Sequence, residues 1–322
     1  MPVISSQTAL IGHNSAVYAL ANGLLDQGFL SAGGDGLVVQ WDLNAPEHGV
    51  VQARIGDAIF SLLQDPKRKM LLIGTGAGRL VLVDLETRAE VQVVELHTKG
   101  IFRILAYTDD HFLCAGGDGM LSTWAWRSGE TSETRYGIEL MRQIPLCDEK
   151  LRDIALAPAR DNVAVACGDG TIRLLETALF NELERFGGHE NGCTSVAFHP
   201  KKPVLLSGGK DGNLKVWRMD GTGRNLHTLA AHKGAVYATT LDDRGRWIAT
   251  VGRDSLVKIW DAHSLQPLFR SVRGRDGHTH SVNAAIWRGD SLLTASDDRT
   301  IRSWEMSSKP SLGMASDLMP NA

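Results

Sequence analysis

SAGGDGLVVQW, Ser31 to Trp41, decides the fold. In isolation the Gly-Gly-Asp-Gly run ahead of an apolar strand looks like a loop that cradles a phosphate. A phosphate loop, however, occurs once and normally opens a helix. This run enters another strand, and it recurs. CAGGDGMLSTW begins at Cys114, VACGDGTIRLL at Val165 and SGGKDGNLKVW at Ser207. Looser copies are TVGRDSLVKIW at Thr250, TASDDRTIRSW at Thr294 and IGTGAGRLVLV at Ile73.

The copies keep a period. Their turn markers are Asp35, Ala77, Asp118, Asp169, Asp211, Asp254 and Asp298, spaced by 42, 41, 51, 42, 43 and 44 residues. Three residues after each marker stands an aliphatic, from Val38 to Ile301, and six residues after it a Trp, Val or Leu. Within a unit, short β-branched or aromatic runs such as SAVYALA, GFLSAGG and LVVQWDL are broken by Gly, Asn or Asp, which reads as strands and turns. No long amphipathic helix pattern interrupts them. All-β units of about 40–45 residues are the period of propeller blades, so the chain is expected to be all-β, with seven four-stranded antiparallel blades.

Bulk properties agree with a single large β domain. The chain has 322 residues, 43% of them hydrophobic, and a formal charge of −3, which gives no basic footprint for nucleic acid. Cys114, Cys147, Cys167 and Cys193 lie far apart in sequence without a C-x-x-C pair, and are read as reduced thiols rather than a zinc site. No charged segment precedes an apolar leader, and no apolar run is long enough for a membrane span, so the expectation is cytoplasmic.

Over residues 3–306 the sequence resembles the WD-repeat β-propeller family. Gly-His opens units at Gly12-His13, Gly188-His189 and Gly277-His278, and Trp-Asp closes them at Trp41-Asp42 and Trp260-Asp261. The resemblance implies a buried hydrogen-bonded chain of His, Ser or Thr, Asp and Trp in each well-formed blade. Four sets match: His13, Ser31, Asp35 and Trp41; His189, Ser207, Asp211 and Trp217; His232, Thr250, Asp254 and Trp260; His278, Thr294, Asp298 and Trp304. A thin blade must satisfy its internal polar groups internally. A catalytic reading of His, Ser and Asp fails because the set repeats and a Trp fills the place of a substrate. Blade 3 is expected to use His97, Cys114, Asp118 and Trp124, with a thiol in place of the hydroxyl. Blade 4 has Cys147 near the His position and Val165 at the hydroxyl position, and blade 2 lacks the set. Blades 2 to 4 are therefore expected to be the looser side.

The ring is expected to span residues 1–306, with Val3–Ile11 supplying the outer strand of the last blade and residues 307–322 a disordered tail. The long spacing of 51 places a longer outer hairpin in blade 3, around RSGETSETRYG.

Function is expected at the mouth of the ring. The resemblance implies that the residue after the first apolar position of each inner strand faces the entrance. These are Tyr18, Phe60, Phe102, Arg152, Thr194, Tyr237 and Asn283. Neighbouring rim positions add Lys150, Lys210 and Arg253, so aromatic residues on one side face cations on the other. Aromatics and Arg carry binding hot spots. The expected function is a non-catalytic protein-interaction scaffold that takes a peptide or protein segment with an apolar anchor and an acidic or phosphorylated end. No catalytic, cofactor or metal site is read, and the folded unit is expected to be a monomer. Two alternatives stand beside it. One is a propeller enzyme with a central-channel site, for which the mouth offers one carboxylate, Asp297, and no His. The other is a binder of single-stranded nucleic acid, which the acidic net charge disfavours.

Overall fold

In the first copy, the run from Gly33 to Gly36 closes as a tight turn. The Gly36 N–H donates to the Gly33 carbonyl at 3.2 Å, and Gly36 takes a left-handed φ of 70°. Gly78, Gly119, Gly170 and Gly212 repeat that conformation, while Ser255 and Arg299 adopt it in blades 6 and 7 without glycine's freedom. The recurring Asp-Gly is thus a strand-to-strand turn.

A computed structural model describes residues 3–23, 27–129 and 135–307. They form seven antiparallel four-stranded sheets arranged as the blades of a propeller, and no helix is present among the described residues. The inner strands are Val17–Asn22, Ile59–Asp65, Ile101–Ala106, Leu151–Leu156, Cys193–Phe198, Val236–Leu241 and Val282–Arg288. Val3–Ile11 pairs antiparallel with Thr300–Ser307, with Leu10 opposite Ile301, and so completes blade 7. The last strand runs to Ser307, and the remainder of the expected tail lies outside the described residues.

The core is divided among the gaps between blades. Seven apolar clusters form, each joining two neighbouring blades. Alternation within the middle strands produces this. In blade 2, Leu71 and Ile73 face blade 1, whereas Met70 and Leu72 face blade 3. A strand buried on both faces reads as a continuous apolar run, as Met70–Ile73 does. Leu10, fully buried, joins the cluster between blades 7 and 1 and seals the ring there.

The extra length of blade 3 enters its outer hairpin. Strands Met120–Ser128 and Tyr136–Pro145 pair to their ends, with Ser128 opposite Tyr136. The hairpin leans on blade 2. Gln92 donates to the Ile138 carbonyl at 2.9 Å and accepts from the Ile138 N–H at 2.8 Å.

Candidate functional site

The buried polar chains come first, because they position the loops around the mouth. In blade 1 the Trp41 indole N–H donates to Ser31 Oγ at 2.8 Å, Ser31 Oγ lies 2.8 Å from His13 Nε2, and His13 Nδ1 lies 2.9 Å from Asp35 Oδ2. Asp35 also accepts from the Asn14 N–H in the preceding loop. The carboxylate thereby ties a loop to the turn. Equivalent chains form through Ser207, Thr250 and Thr294. Burial pushes the His189 and His278 imidazoles below the ordinary histidine range, against the pull of Asp211 and Asp298. Burial pushes the Asp298 carboxyl up, but His278, Thr300 and the Thr279 N–H outweigh it and hold it well below the usual carboxylate range.

Blade 3 corrects the expected thiol. The hydroxyl in its chain belongs to Ser122, which lies 2.9 Å from His97 Nε2 and accepts from the Trp124 indole at 2.8 Å. Ser122 is the cross-strand partner of Cys114, so it reaches the same pocket from the adjacent strand. Blade 3 is therefore complete, and the basis for its being looser is gone.

The mouth is shaped by a repeated backbone device. Every inner strand slips register across one residue near its start, between Val17 and Ala19 in blade 1 and at the matching place in the other six. A bulge ejects one residue from the ladder and re-aims its side chain. The ejected residues are Tyr18, Phe60, Phe102, Arg152, Thr194, Tyr237 and Asn283, and together with Asp297 they line one cavity of about 400 Å³ on the ring axis.

The aromatic residues form a ladder. Tyr18 meets Phe60 edge-on at 5.3 Å between centroids, and Phe60 stacks on Phe102 at 5.3 Å and 15°. Arg152 caps it, its guanidinium carbon 4.3 Å from the Phe102 centroid. The small rim neighbours are a packing requirement. A Cβ at Gly100 would stand 2.8 Å from Phe60, and one at Gly117 would stand 2.8 Å from Phe102. Gly34 answers to Ser15 more than to Tyr18, since a Cβ there would stand 2.6 Å from Ser15 Oγ and 3.5 Å from the Tyr18 ring.

Electrostatics centre on Arg152. Burial pulls its guanidinium below the ordinary arginine range, with Tyr237 and Asp153 opposing. Asp153, deeper in the channel, is pushed up by burial and is engaged by Arg103 at 3.4 Å and by the Val196 N–H at 3.0 Å. Arg152 forms no ion pair among the described residues. Asp297 is occupied by Asn283, which donates to it at 2.8 Å. Burial, then Asp297, raises the Tyr18 hydroxyl. Of the other expected cations, Lys150 stands 5.7 Å over Phe102, while Lys210 and Arg253 stay on the exposed rim outside the cavity lining.

The separation of the cysteines in sequence does not survive folding. Cys147 and Cys167 come together beside Asp169. The neighbouring Cys167 thiol brings Cys147 down to about 7 and is itself driven up. Burial likewise pushes up Cys114 and Cys193.

A repeat model described as WD domain, G-beta repeat, matches residues 4–42, 180–218, 223–261 and 269–305. THO complex subunit 6 of Homo sapiens is 25% identical over 281 residues, which cover 79% of this chain and 78% of that protein. WD repeat-containing protein 90 of Xenopus tropicalis is 27% identical over 64% of this chain, and transducin beta-like protein 3 of Bos taurus 28% identical over 59%. The chain spans only 11% and 24% of the lengths of those two relatives. No catalytic family is indicated. The expected cytoplasmic location is corrected: the relatives point to the nucleus instead. Reduced thiols do not separate these compartments, which share reducing conditions.

Proposed function

The chain is a seven-bladed propeller with WD40 repeats in four places, and from that premise we propose that its entrance face captures a protein segment without catalysing a reaction. One observation carries the proposal. Arg152 is a largely desolvated cation, stacked on an aromatic ladder and facing an open cavity, with no carboxylate paired to it among the described residues. A half-buried charge without a direct ion pair is costly, and an incoming anion relieves that cost. The segment therefore carries an acidic or phosphorylated group for Arg152, with Lys150 at hand on the rim, and an apolar anchor for Tyr18, Phe60 and Phe102. Relatives that are parts of protein complexes, such as a subunit of the THO complex, support a protein partner for this face.

The test is affinity capture quantified by mass spectrometry, comparing wild type with the triple variant Tyr18→Ala, Phe60→Ala and Arg152→Glu. Loss of the bound proteins at unchanged melting temperature is expected. An unchanged set would move the site off this face.

A further inference from the structure

Blade 4 breaks the polar chain in a concerted way. Where blades 1, 3, 5, 6 and 7 place the chain's histidine, it carries Cys147. Two residues before the turn carboxylate, blades 3 and 5 have Gly116 and Gly209, and a Cβ at either would stand 2.1 or 2.3 Å from the facing imidazole. Blade 4 has Cys167 there. In blade 4 the imidazole is absent and the second thiol stands at this position, where blade 7 holds Ser296 beside His278. Asp169 keeps its place in the turn but has lost its imidazole donor. Its Oδ1 accepts from the Thr171 N–H and hydroxyl at 2.8 and 2.7 Å, the same contacts that Asp298 makes with Thr300 beside its histidine.

The outcome is a compact donor set. Cys147 Sγ, Cys167 Sγ and a carboxylate oxygen of Asp169 lie within 4.8 Å of one another. They come from three backbone positions: the loop before the inner strand, the end of the second strand Asn162–Cys167, and the turn. Arg173 stands beside them, 3.7 Å from Asp169, and its Nε is buried without a hydrogen-bond partner.

We propose that Cys147, Cys167 and Asp169 form a binding site for a thiophilic divalent cation of the zinc class. Two sulfurs and a carboxylate oxygen suit zinc, and disfavour magnesium and calcium, which prefer all-oxygen shells. With both thiols deprotonated, their protons released to solvent, the three donors carry a charge of −3, of which the dication cancels two; Arg173, 3.7 Å from Asp169, is shared with Glu182 at 2.9 Å. Asp169 is partly open to solvent at the rim, which leaves a fourth position for water. The ion would tie loop, strand and turn together where blades 1, 3, 5, 6 and 7 use an imidazole.

The test is titration of the reduced full-length protein with Co²⁺, read by thiolate-to-cobalt charge-transfer absorption, followed by displacement with Zn²⁺. Saturation at one equivalent is expected, with a higher melting temperature. Cys147→Ser should abolish the band, and Cys114→Ser should keep it. Asp169→Asn should weaken binding by at least the roughly 10–100-fold that a change outside the ligand shell costs. It also serves as the test if the serine variant fails to fold. A reduced wild type without the band, or a band unchanged in Cys147→Ser or Asp169→Asn, would overturn the site.

Discussion

The guanidinium of Arg152 lies 4.3 Å over the ring of Phe102, and Phe102 continues through Phe60 to Tyr18. Stacking fixes the cation in the plane that bidentate recognition of a carboxylate or phosphate needs. Arg152→Gln should weaken capture of an acidic segment by about 1.5–3 kcal/mol, roughly tenfold or more. Arg152→Lys should recover only part, because an ammonium neither stacks nor forks. Titration of a captured peptide by calorimetry measures both; equal affinity of all three proteins would remove Arg152 from the interface.

Ser122, and not Cys114, closes the polar chain of blade 3. Ser122→Ala strands the Trp124 indole and one imidazole nitrogen of His97, and should cost about 1–3 kcal/mol in urea unfolding. Cys114→Ala removes a buried sulfur but leaves the chain intact, so its polar cost is absent. A similar loss of the chain in both variants, read as downfield indole shifts by NMR, would contradict the assignment.

Acid should loosen the ring in two stages. His189 and His278 are held below 6.5 in the folded protein, so unfolded chains take up protons first and stability falls as pH drops below 6.5. Asp118, Asp211, Asp254 and Asp298 are held below 3.8, so their contribution is present above that value and lost as pH falls through the folded range. Unfolding midpoints in urea from pH 8 to pH 1.5 should show both declines and a plateau at neutral pH. A rise in stability on acidification would reverse the sign.

Closure depends on the N-terminal strand. Leu10→Ala opens a cavity between blades 7 and 1 and should cost about 2–5 kcal/mol. Removing residues 1–11 exposes the edge of Thr300–Ser307 and should lower the melting temperature of the whole ring and promote association. An unchanged melting temperature in the truncated protein would mean the ring closes without this strand.

The turn in the first copy is sterically closed to a side chain. A Cβ at Gly36 would stand 2.1 Å from the Ile55 carbonyl oxygen, in a left-handed conformation. Gly36→Ala should destabilise by more than about 1 kcal/mol, whereas a nucleotide-loop role would instead show up as lost ligand binding. Thermal unfolding with and without ATP separates the two.

Residues 31–41 and their copies determine blade number, turn position and four of the five polar chains, because those features are set by spacing within one blade. Ser122 escaped that spacing, since cross-strand register brought it opposite Cys114. The seven mouth residues could be picked out, but the bulges that turn them onto one axis belong to strand pairing and carry no residue signature. The setting of Arg152 depends on Phe102 of blade 3, 4.3 Å away, and on Tyr237 of blade 6 across the mouth, which only the tertiary fold brings near. The same holds for Cys147 and Cys167, twenty residues apart in the chain and adjacent only once a loop folds over a strand end. Local covalent order fixed the repeat; distances between loops and between blades followed from register and closure, which no single stretch encodes.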